Sequence, residues 1–190
     1  MKRFVLILVL TSVALLVACG QDIETNMSRD VLDFEFTTQD NQTLALEDLE
    51  GEWWIADFIF TNCTTVCLPM TTNMSKLQDR LKEENLDAQL VSFSVDPDYD
   101  SPEVLREYAE KYQADLSNWT FLTGYDFETI KELSIKSFQS ALEAPPAGED
   151  QVLHGTRFIL VNPEGKAIKS YRGTSSTEIE TIIEDLKMVQ

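Results

Sequence analysis

Trp53-Trp-Ile-Ala-Asp-Phe-Ile-Phe-Thr-Asn-Cys63-Thr-Thr-Val-Cys67 is the stretch on which the reading of this chain turns. Its first part, Trp53 to Phe60, is a run of strand length dominated by apolar and aromatic residues, and it predicts a buried central strand. Two thiols follow at once, placed for redox chemistry or for a soft metal. The only histidine, His154, lies far downstream and is the one imidazole available to complete a three-ligand site.

Beyond Cys67, the residues Met70, Met74, Leu77 and Leu81 recur at helical spacing, and the helix should end before Asn85. Leu90 to Val95 reads as a second buried strand that stops at Asp96-Pro97. Ser101-Pro102-Glu103 is a helix start, with serine as cap and proline in the first turn. That helix carries Val104, Leu105, Tyr108 and Tyr112. Thr120 to Thr123 is a short strand, Phe127 to Phe138 a helix, and Ala144-Pro-Pro-Ala-Gly-Glu-Asp150 a breaker-rich loop. Arg157 to Val161, Asn162-Pro-Glu-Gly165 and Lys166 to Tyr171 form a hairpin, and Thr177 caps a last helix containing Ile179, Ile182, Ile183 and Leu186.

Upstream, Phe34-Glu-Phe-Thr-Thr alternates, turns at Asp40-Asn-Gln and resumes at Thr43-Leu-Ala-Leu, a hairpin-like opening. Leu49-Glu-Gly51 then connects to the central strand. The alternation of strands and helices predicts an α/β layered domain with helices over a mixed sheet.

At 190 residues the chain suits one domain able to bury its own core. Hydrophobic content of 43% and charged content of 25% are globular values. The formal net charge of −18 argues against nucleic acid as a partner, which needs clustered Lys and Arg. A well-solvated acidic surface is the simple account of the charge; a docking face for a basic partner is the other.

Lys2 and Arg3 precede an apolar run from Phe4 to Ala18 that is short for a membrane span of about 20 residues. The run ends in Leu16-Val17-Ala18-Cys19-Gly20, which looks like a bacterial lipoprotein signal with lipid attached to Cys19. The expected division is therefore a signal peptide over 1–18, a lipidated tether over 19–32 and the folded domain over 33–190. The expected location is the extracytoplasmic face of the cell membrane. Setting Cys19 aside leaves Cys63 and Cys67 as a lone pair. A bridge closing so short a loop removes little unfolded-state entropy, so the pair is a poor staple and a better reactive site.

If the turn at Cys63 is helical, the two sulfurs at i and i+4 share a face, and the helix N-terminus favours thiolate. Pro69 is tolerated so close to a helix start. Two sulfurs without a second cysteine pair make a poor structural zinc site, whereas two thiolates with one imidazole suit copper. Met70 and Met74 could offer thioethers, but their spacing favours core packing. The group Asp96, Asp98 and Asp100 lacks the glycine and glutamate of a calcium loop and reads as a solvated loop beside the site.

Phe58-Ile-Phe-Thr-Asn-Cys-Thr-Thr-Val-Cys-Leu-Pro-Met70, Ser94-Val-Asp-Pro-Asp-Tyr-Asp-Ser-Pro102 and Leu153-His-Gly-Thr-Arg-Phe-Ile-Leu-Val-Asn-Pro-Glu-Gly165 resemble, in order, the signature blocks of the Sco/SenC family. The resemblance runs from about Phe34 onward. It implies a thioredoxin-like fold with copper bound by Cys63, Cys67 and His154, the cysteines also forming a redox pair. It further implies a nearby role for Asp96 in metal handling and a partner in the CuA-bearing subunit of cytochrome c oxidase. Leu68 stands where the family often has proline, and Gly155 where a hydroxyl residue is usual.

The expected function is a membrane-anchored copper chaperone for CuA assembly, by copper delivery or by reduction of the CuA thiols. The rivals are an extracytoplasmic thiol–disulfide oxidoreductase, in which Cys63 and Cys67 cycle, and a copper or redox sensor. Three residues between the cysteines, and Leu153-His154 where a cis-proline loop would sit, weigh against an efficient thioredoxin-like enzyme.

Overall fold

The computed structural model describes residues 23–63 and 67–190; Cys19 and the N-terminal apolar run lie outside the described residues. Its strands are β1 (Arg29–Asp30), β2 (Glu35–Thr38), β3 (Thr43–Ala45), β4 (Trp54–Ile59), β5 (Gln89–Ser94), β6 (Trp119–Thr123), β7 (Leu142–Glu143), β8 (Leu153–His154), β9 (Arg157–Val161) and β10 (Lys166–Arg172). The helices are α1 (Cys67–Glu84), α2 (Pro102–Lys111), α3 (Phe127–Phe138) and α4 (Glu178–Val189). A short 3₁₀ turn, Leu46–Leu49, fills part of the connection before β4.

Eight strands form one mixed sheet in the order β1-β10-β9-β4-β5-β6-β2-β3, and β7 pairs with β8 in a separate ribbon. Every residue of β4 is buried, as its apolar run requires of a central strand. Its alternate side chains feed two cores. Ile55 and Ile59 pack with Met70, Met74, Leu77 and Leu81 of α1, Leu105 and Tyr108 of α2, and Ile182, Ile183 and Leu186 of α4. Trp54, Ala56, Phe58 and Phe60 pack with Ile130, Leu133 and Phe138 of α3 on the other face. Each such fully buried side chain contributes about 1.5–3 kcal/mol of transfer free energy. The layered α/β architecture and its mixed sheet are therefore as the pattern of the sequence predicts.

Helix boundaries follow local chemistry. Ser101 accepts from the Val104 N–H and Pro102 opens α2, both as predicted. Asn85 takes the left-handed φ of 54° immediately after α1. Thr177 departs from expectation: it precedes α4 with helical angles, but its side chain caps nothing and its hydroxyl pairs with Ser175.

The segment read as a polar tether is partly folded onto the domain. Arg29–Asp30 pairs antiparallel with β10, Ile23 and Val31 are buried, and Asn26 Oδ1 accepts from the Ser170 N–H at 2.8 Å. An edge strand needs only backbone partners, so its two charged side chains conceal it.

Sheet direction positions the site. β4 and β5 are parallel, so their carboxyl ends emerge together, and the Val95 N–H donates to the Ile59 carbonyl at 2.8 Å. The Cys63 turn after β4 and the Asp96 loop after β5 are therefore neighbours. Ligand sites of open α/β sheets form at this end.

Candidate metal centre

The buried strand β4 delivers Phe60 to the carboxyl end of the sheet, where the chain turns: the Cys63 N–H donates to the Phe60 carbonyl at 3.3 Å. Four residues later α1 begins at Cys67, which is buried, whereas Cys63 is half-buried. The Cys63 sulfur accepts from the Cys67 N–H at 3.4 Å. It thereby serves one of the helix-terminal donors that lack an intrahelical acceptor. Cys63 thus stands just ahead of the helix rather than within it.

His154 arrives from the opposite side. The loop read as breaker-rich is closed by the β7–β8 ribbon, in which Leu142 pairs with His154 and the Gly155 N–H bonds to the Ala141 carbonyl at 2.9 Å. The ribbon, not the main sheet, presents the ring. Phe60 packs edge-on against it at a centroid distance of 5.7 Å. His154 Nδ1 lies 2.9 Å from the Gly155 carbonyl oxygen, and Nε2 lies 3.4 Å from Cys67 Sγ. A carbonyl only accepts, so Nδ1 carries the proton and the Nε2 lone pair faces the sulfurs.

Cys63, Cys67 and His154 form a group whose donor atoms all lie within 4.8 Å of one another. Sequence reasoning named all three. The donor set is two sulfurs and a neutral imidazole, which fits a soft cation such as copper. Burial and the adjacent Cys63 push the Cys67 thiol well above its ordinary range, with Cys63 the larger cause. At Cys67 the neighbouring sulfur and burial thus oppose the thiolate that the helix start was expected to favour. Thiolate here calls for a cation to replace the proton.

Asp96 is half-buried and is not among the three grouped donors. Its carbonyl accepts from the Tyr99 and Asp100 N–H groups, so its backbone forms the turn. Burial, then Asp98 and Asp150, raise its carboxyl above the usual range. Met70 and Met74 are wholly buried in the core of α1, as their spacing predicts.

Two acids escaped the sequence reading. Asp57, in the middle of β4, is wholly buried; its Oδ1 accepts from Ser92 at 2.6 Å and its Oδ2 has no hydrogen-bond partner among the described residues. Burial pushes its carboxyl up to about 7, against the opposing pull of the Ser92 hydrogen bond. A single acid inside an apolar strand was the available signal. Asp100 is also wholly buried, so the Asp96–Asp100 segment is not the uniformly solvated loop expected of it.

Fold and site together define a thioredoxin-like domain with a three-donor group that could hold a soft metal ion at the carboxyl end of its central strands. The sequence model of the SCO1/SenC family matches residues 24–190, and the chain belongs to that family. It is 48% identical over 173 residues to the SCO1 protein homolog of Bacillus subtilis, covering 90% of this chain and 89% of the relative. A solved structure of BsSco, described as a member of the Sco family of cytochrome c oxidase assembly proteins, is 47% identical with a TM-score of 0.81. It covers 89% of this chain and 98% of its own. Yeast Sco1 with copper bound is 25% identical, with a TM-score of 0.70, covering 84% of this chain and 89% of its own. No helix among the described residues is long and apolar enough to cross a membrane.

Proposed function

We propose that this chain is a lipid-anchored, extracytoplasmic copper-binding protein that serves assembly of the CuA centre of cytochrome c oxidase. It would hand copper to the CuA-bearing subunit or keep that subunit's thiols reduced. The observation that carries the reading is the grouping of Cys63, Cys67 and His154 donor atoms within 4.8 Å. Copper is the cargo, and soft sulfur ligands select its Cu(I) state. The His154–Gly155 contact holds the third donor ready, and Asp96, on the neighbouring loop, would take a supporting role.

Exposed apolar residues stand beside two of the ligands: Leu68 is 60% exposed next to Cys67, and Leu153 is 66% exposed next to His154. Exposed apolar surface at a metal site supports transfer to a protein partner. The Leu16-Val17-Ala18-Cys19-Gly20 pattern supports lipid attachment at Cys19.

A second reading rests on the same two cysteines, Cys63 and Cys67. Cys63 and Cys67 are close enough for a modest rotation to join them, releasing two electrons and two protons to a partner disulfide. That is thiol–disulfide exchange, and it suits either reduction of a disulfide between the CuA cysteines to thiols or an independent oxidoreductase.

His154→Ala separates a three-donor metal site from a dithiol alone. Copper titration of the reduced chain should show at least tenfold weaker binding in the variant. Unchanged affinity would overturn the three-donor reading and leave the redox one.

A further inference from the structure

Asp100 is wholly buried at the site, and the metal chemistry leaves it without a role. Its carboxylate receives four contacts. The Thr61 N–H reaches Oδ1 at 3.3 Å and Oδ2 at 3.2 Å, the Thr61 hydroxyl donates to Oδ1 at 2.5 Å, and the Ser94 hydroxyl donates to Oδ2 at 2.6 Å. Ser94 in turn accepts from the Asp96 N–H at 3.1 Å. Thr61 belongs to the turn in which the Cys63 N–H returns to the Phe60 carbonyl. We propose that Asp100 is a positioning residue of the metal centre, whose buried carboxylate latches the Thr61–Cys63 turn to the Asp96 loop and so sets Cys63 against Cys67 and His154.

Three features support a latch over an incidental buried acid. All four contacts are donated to the carboxylate, so it is an acceptor hub that an amide cannot reproduce. In Asp100→Asn the new NH₂ would face either the fixed Thr61 N–H or the Ser94 hydroxyl. The contacts also converge on the residue two positions ahead of the half-buried ligand, the one least held by a helix or strand. Finally, the other side of the same turn is tied separately: Asn62 Nδ2 donates to Asp150 at 3.1 Å, and Gln151 Nε2 donates to the Asn62 carbonyl at 3.1 Å. Those ties are exposed, whereas the Asp100 contacts are buried or part-buried and accordingly stronger.

The inference rests on the copper reading only for one of its two readouts. The full-length chain, Asp100→Asn, Thr61→Val, Thr61→Ser and the Asp100→Asn/Thr61→Val double variant are compared by copper titration. Their Cys63–Cys67 dithiol–disulfide equilibrium against glutathione is measured without metal. Asp100→Asn and Thr61→Val should each weaken copper binding by about tenfold or more, as loss of a ligand-orienting partner does. Each should also shift the glutathione equilibrium. The double variant should resemble Asp100→Asn alone, since one contact is removed twice. Thr61→Ser, which keeps the hydroxyl, should behave as wild type.

Wild-type values for both Asp100→Asn and Thr61→Val overturn the latch, as does a Thr61→Ser defect equal to that of Thr61→Val. If Asp100→Asn does not fold, Thr61→Val and Thr61→Ser decide alone. If the wild-type chain takes no copper, the proposed function fails and the glutathione equilibrium still judges the latch.

Discussion

His154 Nε2 lies 3.4 Å from Cys67 Sγ although 87 positions separate them, while the other nitrogen of the ring is 2.9 Å from the Gly155 carbonyl oxygen. One ring nitrogen is thereby committed to the backbone and the other to the sulfurs. Metal-binding histidines are commonly oriented in this way, and loss of the orienting contact weakens metal affinity about 10- to 100-fold. The peptide that follows His154 thus belongs to the site as much as the ring does.

Gly155 has no room for a side chain. A Cβ there would lie 2.1 Å from the Ser140 hydroxyl oxygen and 3.3 Å from Ser140 Cβ. Gly155→Ala should therefore push the Gly155 carbonyl off His154, costing about 1–3 kcal/mol as overpacking does. Copper binding should weaken with it. Removing the Ser140 hydroxyl in Ser140→Ala/Gly155→Ala should restore most of both losses. Denaturant unfolding and copper titration of the single and double variants check this, and additive losses would contradict it.

Asp57 links stability to pH. An unfolded aspartate titrates near 3.9, and burial holds this one at about 7 in the fold. Between roughly pH 4 and 7 the native state therefore carries the extra proton. Its contribution to stability is present at low pH and falls as pH rises, by up to about 1.4 kcal/mol per unit. Asp57→Asn removes this dependence. Between pH 5 and 8 its stability relative to wild type should improve by roughly 2–3 kcal/mol in denaturant unfolding. A difference that does not change with pH would count against the raised carboxyl.

Met70 and Met74 test the division between core and ligand. Both are wholly inaccessible among aliphatic and aromatic neighbours. Met74→Ala should cost about 2–5 kcal/mol of stability and leave copper affinity within twofold at temperatures where the variant is folded. A tenfold loss of affinity in the folded variant would make a thioether part of the site.

Much of this was legible in the sequence because it rests on local pattern. β4 and β5 are short apolar runs, α1 repeats at 3.6 residues, and Ser101-Pro102 is a cap that works alone. Cys63 and Cys67 were legible as a lone pair once Cys19 was set aside, and His154 only through the pair and the family-like block around it. What escaped depends on partners distant in sequence. Arg29–Asp30 becomes a strand only by pairing with β10, and the β7–β8 ribbon only by meeting across a loop. Asp100 looked like its acidic neighbours until Thr61 and Ser94 were seen to enclose it. Thr177 had the right residue type, but Ser175 takes its hydroxyl.

X-ray absorption at the copper edge of the copper-loaded chain tests the central claim most directly. Two sulfurs and one imidazole nitrogen should surround the metal, with one sulfur lost in Cys63→Ser or Cys67→Ser and the nitrogen lost in His154→Ala. Copper surrounded by oxygen and nitrogen alone, or a coordination shell unchanged by these substitutions, would contradict the account.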